Sequence, residues 1–331
     1  MTNASASPQK LFEAVTLGPL TLPHRLVMAP LTRNRATPEG VPTPLMATYY
    51  AQRATAALII AEASTPNAVG QTYPNITAIH SPAHIAGWRR VTEAVRAEGG
   101  RMFLQIQHGG RAGHPDTSGL TPVAPSPIAL PETIHTSAGR VPSVVPREMT
   151  AEDITSTVAD FAAAARNAIE AGFEGVEVHS ANGHLLHQFL GRGTNRRTDA
   201  YGGSVEHRIR FVVEVTEAVA AAIGPERVGL RISPWSTVNG MEEGDTEEIY
   251  PALLGALAGS GLAYLHVGYA DPEDPVLQRI RKDWPGTLMA NPDLIHRMRT
   301  GAPVNQVRDA YMMYVGGETG YTDYPTLDAV G

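Results

Sequence analysis

The amino-acid sequence predicts an α/β fold built on a parallel sheet, open or closed, and two observations carry that expectation. Runs that are apolar almost throughout recur at Leu26–Leu31, Ala57–Ala63, Met102–Gln107, Gly175–His179, Val228–Ser233, Tyr264–Tyr269 and Thr287–Ala290. Hydrophobicity that is continuous rather than alternating suits strands covered on both faces. Amphipathic stretches separate these runs, and regular strand–helix alternation favours parallel strands joined by helical crossovers. Barrels of this class commonly pass about 250 residues as one domain, so residues 1–331 are read as a single unit.

Taken in chain order, the first element is a hairpin over Val15–Leu22, turning at Gly18-Pro19. Ser81-Pro82 reads as an N-cap followed by proline at the first helical position, with Ile85, Trp88, Val91 and Val95 as the buried stripe. Between Gly109 and Pro146 proline and glycine cluster. A long ordered segment after a strand's C-terminal end is where barrel enzymes place a lid. Thr150 and Asp153 form a capping box, Ile154, Val158, Phe161, Ala165 and Ile169 repeat at helical spacing, and Gly172 ends that helix. A further helix runs from about Ser204 to Ile223. Seven strands result, where a closed barrel of this kind needs about eight; the shortfall lies after Leu288.

Composition narrows the function classes. There is no cysteine, which removes disulfides, thiol catalysis and Cys-based metal centres. A formal net charge of −7 without long runs of one sign argues against nucleic acid or an anionic membrane as partner. Met1–Lys10 is polar, without the apolar core of a signal peptide, and nothing approaches the roughly 20 apolar residues of a bilayer span. A cytoplasmic protein is the expectation.

The strand ends carry the polar residues: Thr32, Glu62, Gln105 with Gln107 and His108, His179 with Asn182 and His184, Arg231, and His266. Hydrogen-bonding side chains at several strand ends suggest a site that grips a polar planar ligand. Zinc is a rival for His179, His184, His187 and His266 with Glu62, but no tight ligand motif such as HExxH occurs, and no metal site is assigned. His187 reads instead as an ordinary hydrogen-bonded loop residue. No Gly-x-Ser-x-Gly elbow, Walker loop or Rossmann fingerprint is present.

A series of longer motifs then resembles the Old Yellow Enzyme family of FMN-dependent ene-reductases. They are Ala-Pro-Leu-Thr-Arg at 29–33, Ile-Ile-Ala-Glu-Ala at 59–63 and Phe-Leu-Gln-Ile-Gln-His-Gly-Gly-Arg at 103–111. Gly-Val-Glu-Val-His-Ser-Ala-Asn-Gly-His-Leu-Leu at 175–186, Asn-Arg-Arg-Thr-Asp-Ala-Tyr-Gly-Gly-Ser-Val-Glu at 195–206, Arg-Ile-Ser-Pro at 231–234 and Gly-Tyr-Thr-Asp-Tyr-Pro at 320–325 follow in family order. The resemblance implies a TIM-type (β/α)8 barrel. It also implies that Met28, Pro30, Thr32, the backbone at Ala63, Gln105 and Arg231 hold the FMN ring, with NAD(P)H as reductant. Gln both donates to and accepts from the pyrimidine edge, and Arg neutralises charge that a reduced flavin develops. His179 and Asn182 match the pair that binds the carbonyl of a small-molecule substrate and steadies its enolate-like charge. Tyr73, Gln107 and Tyr314 border the substrate pocket.

Three departures from the family pattern stand out. His184 occupies the place of the tyrosine that protonates the α-carbon, and an imidazolium there would donate less as pH rises. Gln107 replaces a tryptophan and makes the pocket wall polar. Third, Leu288-Met289 run directly into Ala290-Asn291-Pro292-Asp293-Leu294. The family pattern there holds about one further β/α unit, on the order of 30 residues, whose turns cradle the flavin phosphate. Weak or absent FMN binding is expected, and an incomplete or atypically closed barrel. Tyr311–Val315 is a strand-prone candidate for closure, and a partner subunit is another; exposed strand edges make a homo-oligomer more plausible. Three functions stay open: an ene-reductase that tolerates the deletion, a flavin-free enzyme using the same pocket for acid–base chemistry, and a non-catalytic binding protein.

Overall fold

The computed structural model describes residues 11–268, 274–290, 317–318 and 321. The chain opens with an antiparallel hairpin, β1 (Val15–Leu17) and β2 (Leu20–Leu22). Gly18 turns it at φ 51°, and a β-carbon there would lie 2.1 Å from the carbonyl oxygen of Glu226, so only glycine fits on both counts.

The main sheet holds β3 (Val27–Met28), β4 (Leu58–Thr65), with the short β5 (Thr77–Ala78) beside its end, and β6 (Met102–Ile106). Outside it come β7 (Val123–Ala124), the hairpin β8 (Thr133–Thr136) and β9 (Gly139–Pro142), and β10 (Arg147–Glu148), which pairs with β7. The sheet resumes with β11 (Gly175–Ser180), β12 (Val228–Ile232), β13 (Tyr264–Val267) and β14 (Thr287–Ala290). Its order is β3–β4–β6–β11–β12–β13–β14, with every neighbouring pair parallel. All seven expected strands are therefore present and ordered around the sheet as in a (β/α)8 barrel. Among the described residues β14 and β3 do not pair with each other, so the curled sheet is a barrel short of closure. The closing candidate Tyr311–Val315 lies outside the described residues. The first strand is shorter than Leu26–Leu31, since Pro30 has no N–H to give a ladder.

The expected helix signals act as caps. The Ser81 hydroxyl accepts from the N–H of His84 at the head of Pro82–Ala97. Thr150 and Asp153 form a reciprocal capping box before Ala151–Glu170, and Gly172 follows that helix at φ 93°. Ser204 caps Val205–Ile223. The segment from 109 to 146 is not structureless. It carries a turn at Gly110–Ala112, a one-turn helix at Pro115–Ser118 and the β8–β9 hairpin.

These elements set the position of the pocket. Leu17, Leu20 and Leu22 of the hairpin pack with Leu58, Ile60, Phe103 and Tyr264, plugging the barrel at the strands' N-terminal end. The larger core, including Trp88, Phe161, Phe211 and Leu253, lies between strands and helices. With the N-terminal end plugged and helices packed against the sheet, the C-terminal end of the strands is the place left for a ligand among the described residues. No helix among the described residues is long and apolar enough to cross a membrane.

Candidate active site

Side chains that point inward alternate along each strand, and register stacks them in layers. Gln105 of β6 lies beside Glu177 of β11. One layer nearer the C-terminal end, His179 lies beside Arg231, and Arg231 beside His266. All five are buried. Where β4 meets β6 the register slips between Ala61 and Ser64, leaving Glu62 and Ala63 opposite Gln105 alone. Such a bulge takes backbone out of the regular ladder at the position expected to meet the ring. The Ala63 carbonyl is occupied by the Thr77 hydroxyl at 2.9 Å.

His179, Asn182 and His184 come together at the end of β11. His179 Nε2 and His184 Nδ1 are 3.1 Å apart, so one ring donates to the other. Asn182 has φ 56°, a left-handed conformation that asparagine tolerates. Its N–H donates to Ser233 Oγ (2.9 Å) and its carbonyl accepts from Asn239 Nδ2 (2.8 Å). Both bonds come from the β12 side and hold the turn over the pocket. His179 Nδ1, His184 Nε2, Asn182 Oδ1 and Arg231 Nε are buried without a hydrogen-bond partner among the described residues. Orphaned buried polar atoms cost about 1–3 kcal/mol each, and four on two adjacent strand ends point to a polar ligand that completes them.

The electrostatics correct one expectation. Burial, outweighing the Ala181 carbonyl, pushes the His184 imidazole down to about 4. His179 is also held well below the usual histidine range, by burial and then by His184 and Arg231. His184 is therefore neutral at physiological pH rather than an imidazolium that fades above 6.5. Burial and then His184 push His108 down to about 3, while its Nδ1 accepts the Gly110 N–H at 3.1 Å. A histidine whose folded value is depressed resists protonation when folded, so its stabilising contribution falls as pH drops below the unfolded value near 6.5. His108→Gln is expected to flatten the acid limb of the stability–pH profile. Wild type should lose about 3 kcal/mol more than the variant between pH 6.5 and 4, measured by denaturant unfolding at each pH.

The other expected residues fall around the same end. Met28, Pro30 and Thr32 are half-buried at and after β3. That loop is pinned by Glu62, whose carboxylate accepts from the Arg33 N–H (3.1 Å) and the Tyr50 hydroxyl (3.2 Å). Burial raises Glu62 to about 7 against those two hydrogen bonds. Tyr321 stacks on Tyr49 with ring centroids 3.9 Å apart, and the Arg33 and Arg35 guanidiniums lie over its ring. Gln107 is buried and donates to Thr72 Oγ1 at 3.0 Å, and Tyr73 is half-buried beside it in the chain. Tyr314 lies outside the described residues.

Two buried groups escaped the sequence. His187 is not a loop residue. It sits on the helix Leu185–Leu190, fully buried, with Nε2 2.7 Å from Glu243 Oε1 and Nδ1 accepting the Gly183 N–H at 3.0 Å. It thus supports the turn that carries Asn182. Glu177 is the other. It lies at the floor of the pocket and had one signal in the sequence, a carboxylate inside an otherwise apolar strand. No cluster of three or more potential metal ligands occurs among the described residues.

Comparison with known proteins gives a consistent picture. The model of the NADH:flavin oxidoreductase / NADH oxidase family matches residues 10–287. The probable flavin mononucleotide-dependent alkene reductase of Leishmania infantum is 40% identical over 368 residues, covering 99% of this chain and 100% of that protein. Among solved structures, the old yellow enzyme homologue from Zymomonas mobilis superposes with a TM-score of 0.92 at 35% identity, covering 96% of this chain and 100% of that one. Morphinone reductase superposes at 0.89 with 40% identity, covering 96% of each chain.

Proposed function

Because this chain belongs to the NADH:flavin oxidoreductase / NADH oxidase family, as an oxidoreductase of the Old Yellow Enzyme type, we propose that it reduces the activated C=C bond of an α,β-unsaturated carbonyl compound. FMN is its cofactor, held chiefly by the ring, and NAD(P)H its reductant. The observation that carries this reading is the convergence of buried, unpartnered polar atoms on His179, Asn182, His184 and Arg231. Those groups suit a planar heterocycle with a carbonyl compound above it. Relatives that include a probable alkene reductase and a 12-oxophytodienoate reductase support the substrate class.

A bound flavin supplies the hydride. Arg231 would neutralise the negative charge that a reduced ring develops, and Gln105 would hydrogen-bond its pyrimidine edge. Thr32 and the backbone at Ala63 would help hold the ring, with Met28 and Pro30 against it. His179 and Asn182 polarise the substrate carbonyl and receive its enolate-like charge; being fixed and dry, such donors stabilise developing charge strongly. The proton for the α-carbon would come from water, which the neutral His184 would hydrogen-bond and orient. Gln107 and Tyr73 would shape the wall of the substrate pocket.

The weakened phosphate grip rests on the junction after Leu288. The family match ends at residue 287, and the alignment to the Leishmania relative runs over 368 positions against 331 residues here, so that relative carries residues with no counterpart in this chain. A second reading, acid–base catalysis without flavin, draws on the 3.1 Å His179–His184 bond, which makes one ring a donor and the other an acceptor. The two readings part in one cuvette: flavin absorbance that NAD(P)H bleaches and an enone restores belongs only to the first.

A further inference from the structure

Glu177 is fully buried, yet nothing in the proposed reduction uses it. Its Oε1 accepts from Gln105 Nε2 at 2.7 Å, and its Oε2 from the Tyr264 hydroxyl at 3.1 Å and faces His266 Nδ1 at 2.8 Å. The strands are built to allow this meeting. Gly229 of β12 lies between Glu177 and Tyr264 in register, and a β-carbon there would fall 2.2 Å from the Tyr264 ring. Only glycine at 229 lets the tyrosine hydroxyl reach across the barrel to the carboxylate. Burial alone would raise this carboxyl, but His266, Arg231 and Gln105 together hold it below its ordinary value, so it is ionised at neutral pH.

An ionised carboxylate accepts hydrogen bonds and cannot donate them. The 2.7 Å bond to Gln105 therefore has one chemical solution: the NH2 of the amide faces Glu177. A free glutamine amide turns over about its last torsion at little cost and presents either end. This one cannot, because the reversed amide would set its carbonyl oxygen against the carboxylate.

We propose that Glu177 is a positioning residue that fixes the Gln105 amide so that its carbonyl oxygen, not its NH2, is offered to the pocket. Resting on the ring-binding role of Gln105 given above, this makes the site selective for a heterocycle with an N–H between two carbonyls, the pattern of the flavin pyrimidine edge. A ring alkylated at that nitrogen is rejected.

The test measures dissociation constants for riboflavin and N3-methylriboflavin by fluorescence quenching, with wild type and Glu177→Gln, alongside cooperative melting of each. Wild type should prefer riboflavin by about tenfold or more, the worth of one hydrogen bond. In Glu177→Gln the new amide accommodates either orientation of Gln105, and the preference should fall to about threefold or less. A ratio unchanged in a well-folded Glu177→Gln protein overturns the proposal. So does a wild-type protein that binds both flavins equally, whatever the variant does. Failure of wild type to bind either flavin would instead overturn the ring-binding role itself, and the positioning role with it.

Discussion

Replacing either His179 or Asn182 is expected to lower kcat/KM for a simple enone by about 10²–10³-fold, the usual effect of removing one donor to a developing oxyanion. His179 is fixed by β11 and by its bond to His184, and the Asn182 turn is held by Ser233 and Asn239. In the proposed mechanism the His179 ring and the Asn182 backbone are already in place as charge appears on the substrate oxygen, so little reorganisation is needed in the transition state. His179→Ala and Asn182→Gly are the suitable variants, glycine because alanine would be strained at φ 56°. Since both donors serve one oxygen, the double variant should lose less than the product of the single losses. Steady-state kinetics with 2-cyclohexenone measure this, and flavin content measured in parallel separates lost chemistry from lost cofactor. Variants that stay flavin-loaded and turn over within about threefold of wild type would remove the pair from the mechanism.

FMN and riboflavin are expected to bind within about tenfold of each other. In a barrel with an intact phosphate cradle, several charge-assisted hydrogen bonds of about 1.5–3 kcal/mol each separate the two by several powers of ten. On the reading proposed above, the cradle's segment is absent after Leu288, while Thr32, Gln105 and Arg231, the residues proposed to face the ring, remain. The ring should thus supply nearly all of the affinity. Equilibrium titrations of the flavin-free protein measure the ratio. FMN bound more than about 10³-fold tighter would show that other cations have taken over the phosphate.

Much of this fold was legible because parallel barrel strands are buried on both faces. Val228–Ile232 and Gly175–Ser180 read as strands without alternation, and each matched to within a residue. Helices announced by caps, at Ser81 and Thr150, were equally plain. Others gave no stripe to read. Every residue of Leu185–Leu190 is buried, so no polar face marks it, and Thr246–Leu257 contains Pro251, which propensity counts against a helix. In the site, polar residues at strand ends identified His179, Gln105 and Arg231 as neighbours before any register was known. The partners of buried charges were beyond such reasoning. Glu243 reaches His187 from 56 residues away, and Glu177 gathers Gln105, Tyr264 and His266 from two other strands. The depressed His184 follows from burial, which residue type alone does not reveal.

The central claim is that this pocket holds a flavin able to pass reducing equivalents to an enone. The visible absorption spectrum of the purified protein, soaked with FMN and in parallel with riboflavin and then titrated anaerobically, tests it most directly. The expected result is a yellow protein in both cases, bleached by NAD(P)H and recoloured by 2-cyclohexenone. A folded protein that stays colourless with both flavins would contradict the account and leave His179, Asn182 and His184 to chemistry that needs no cofactor.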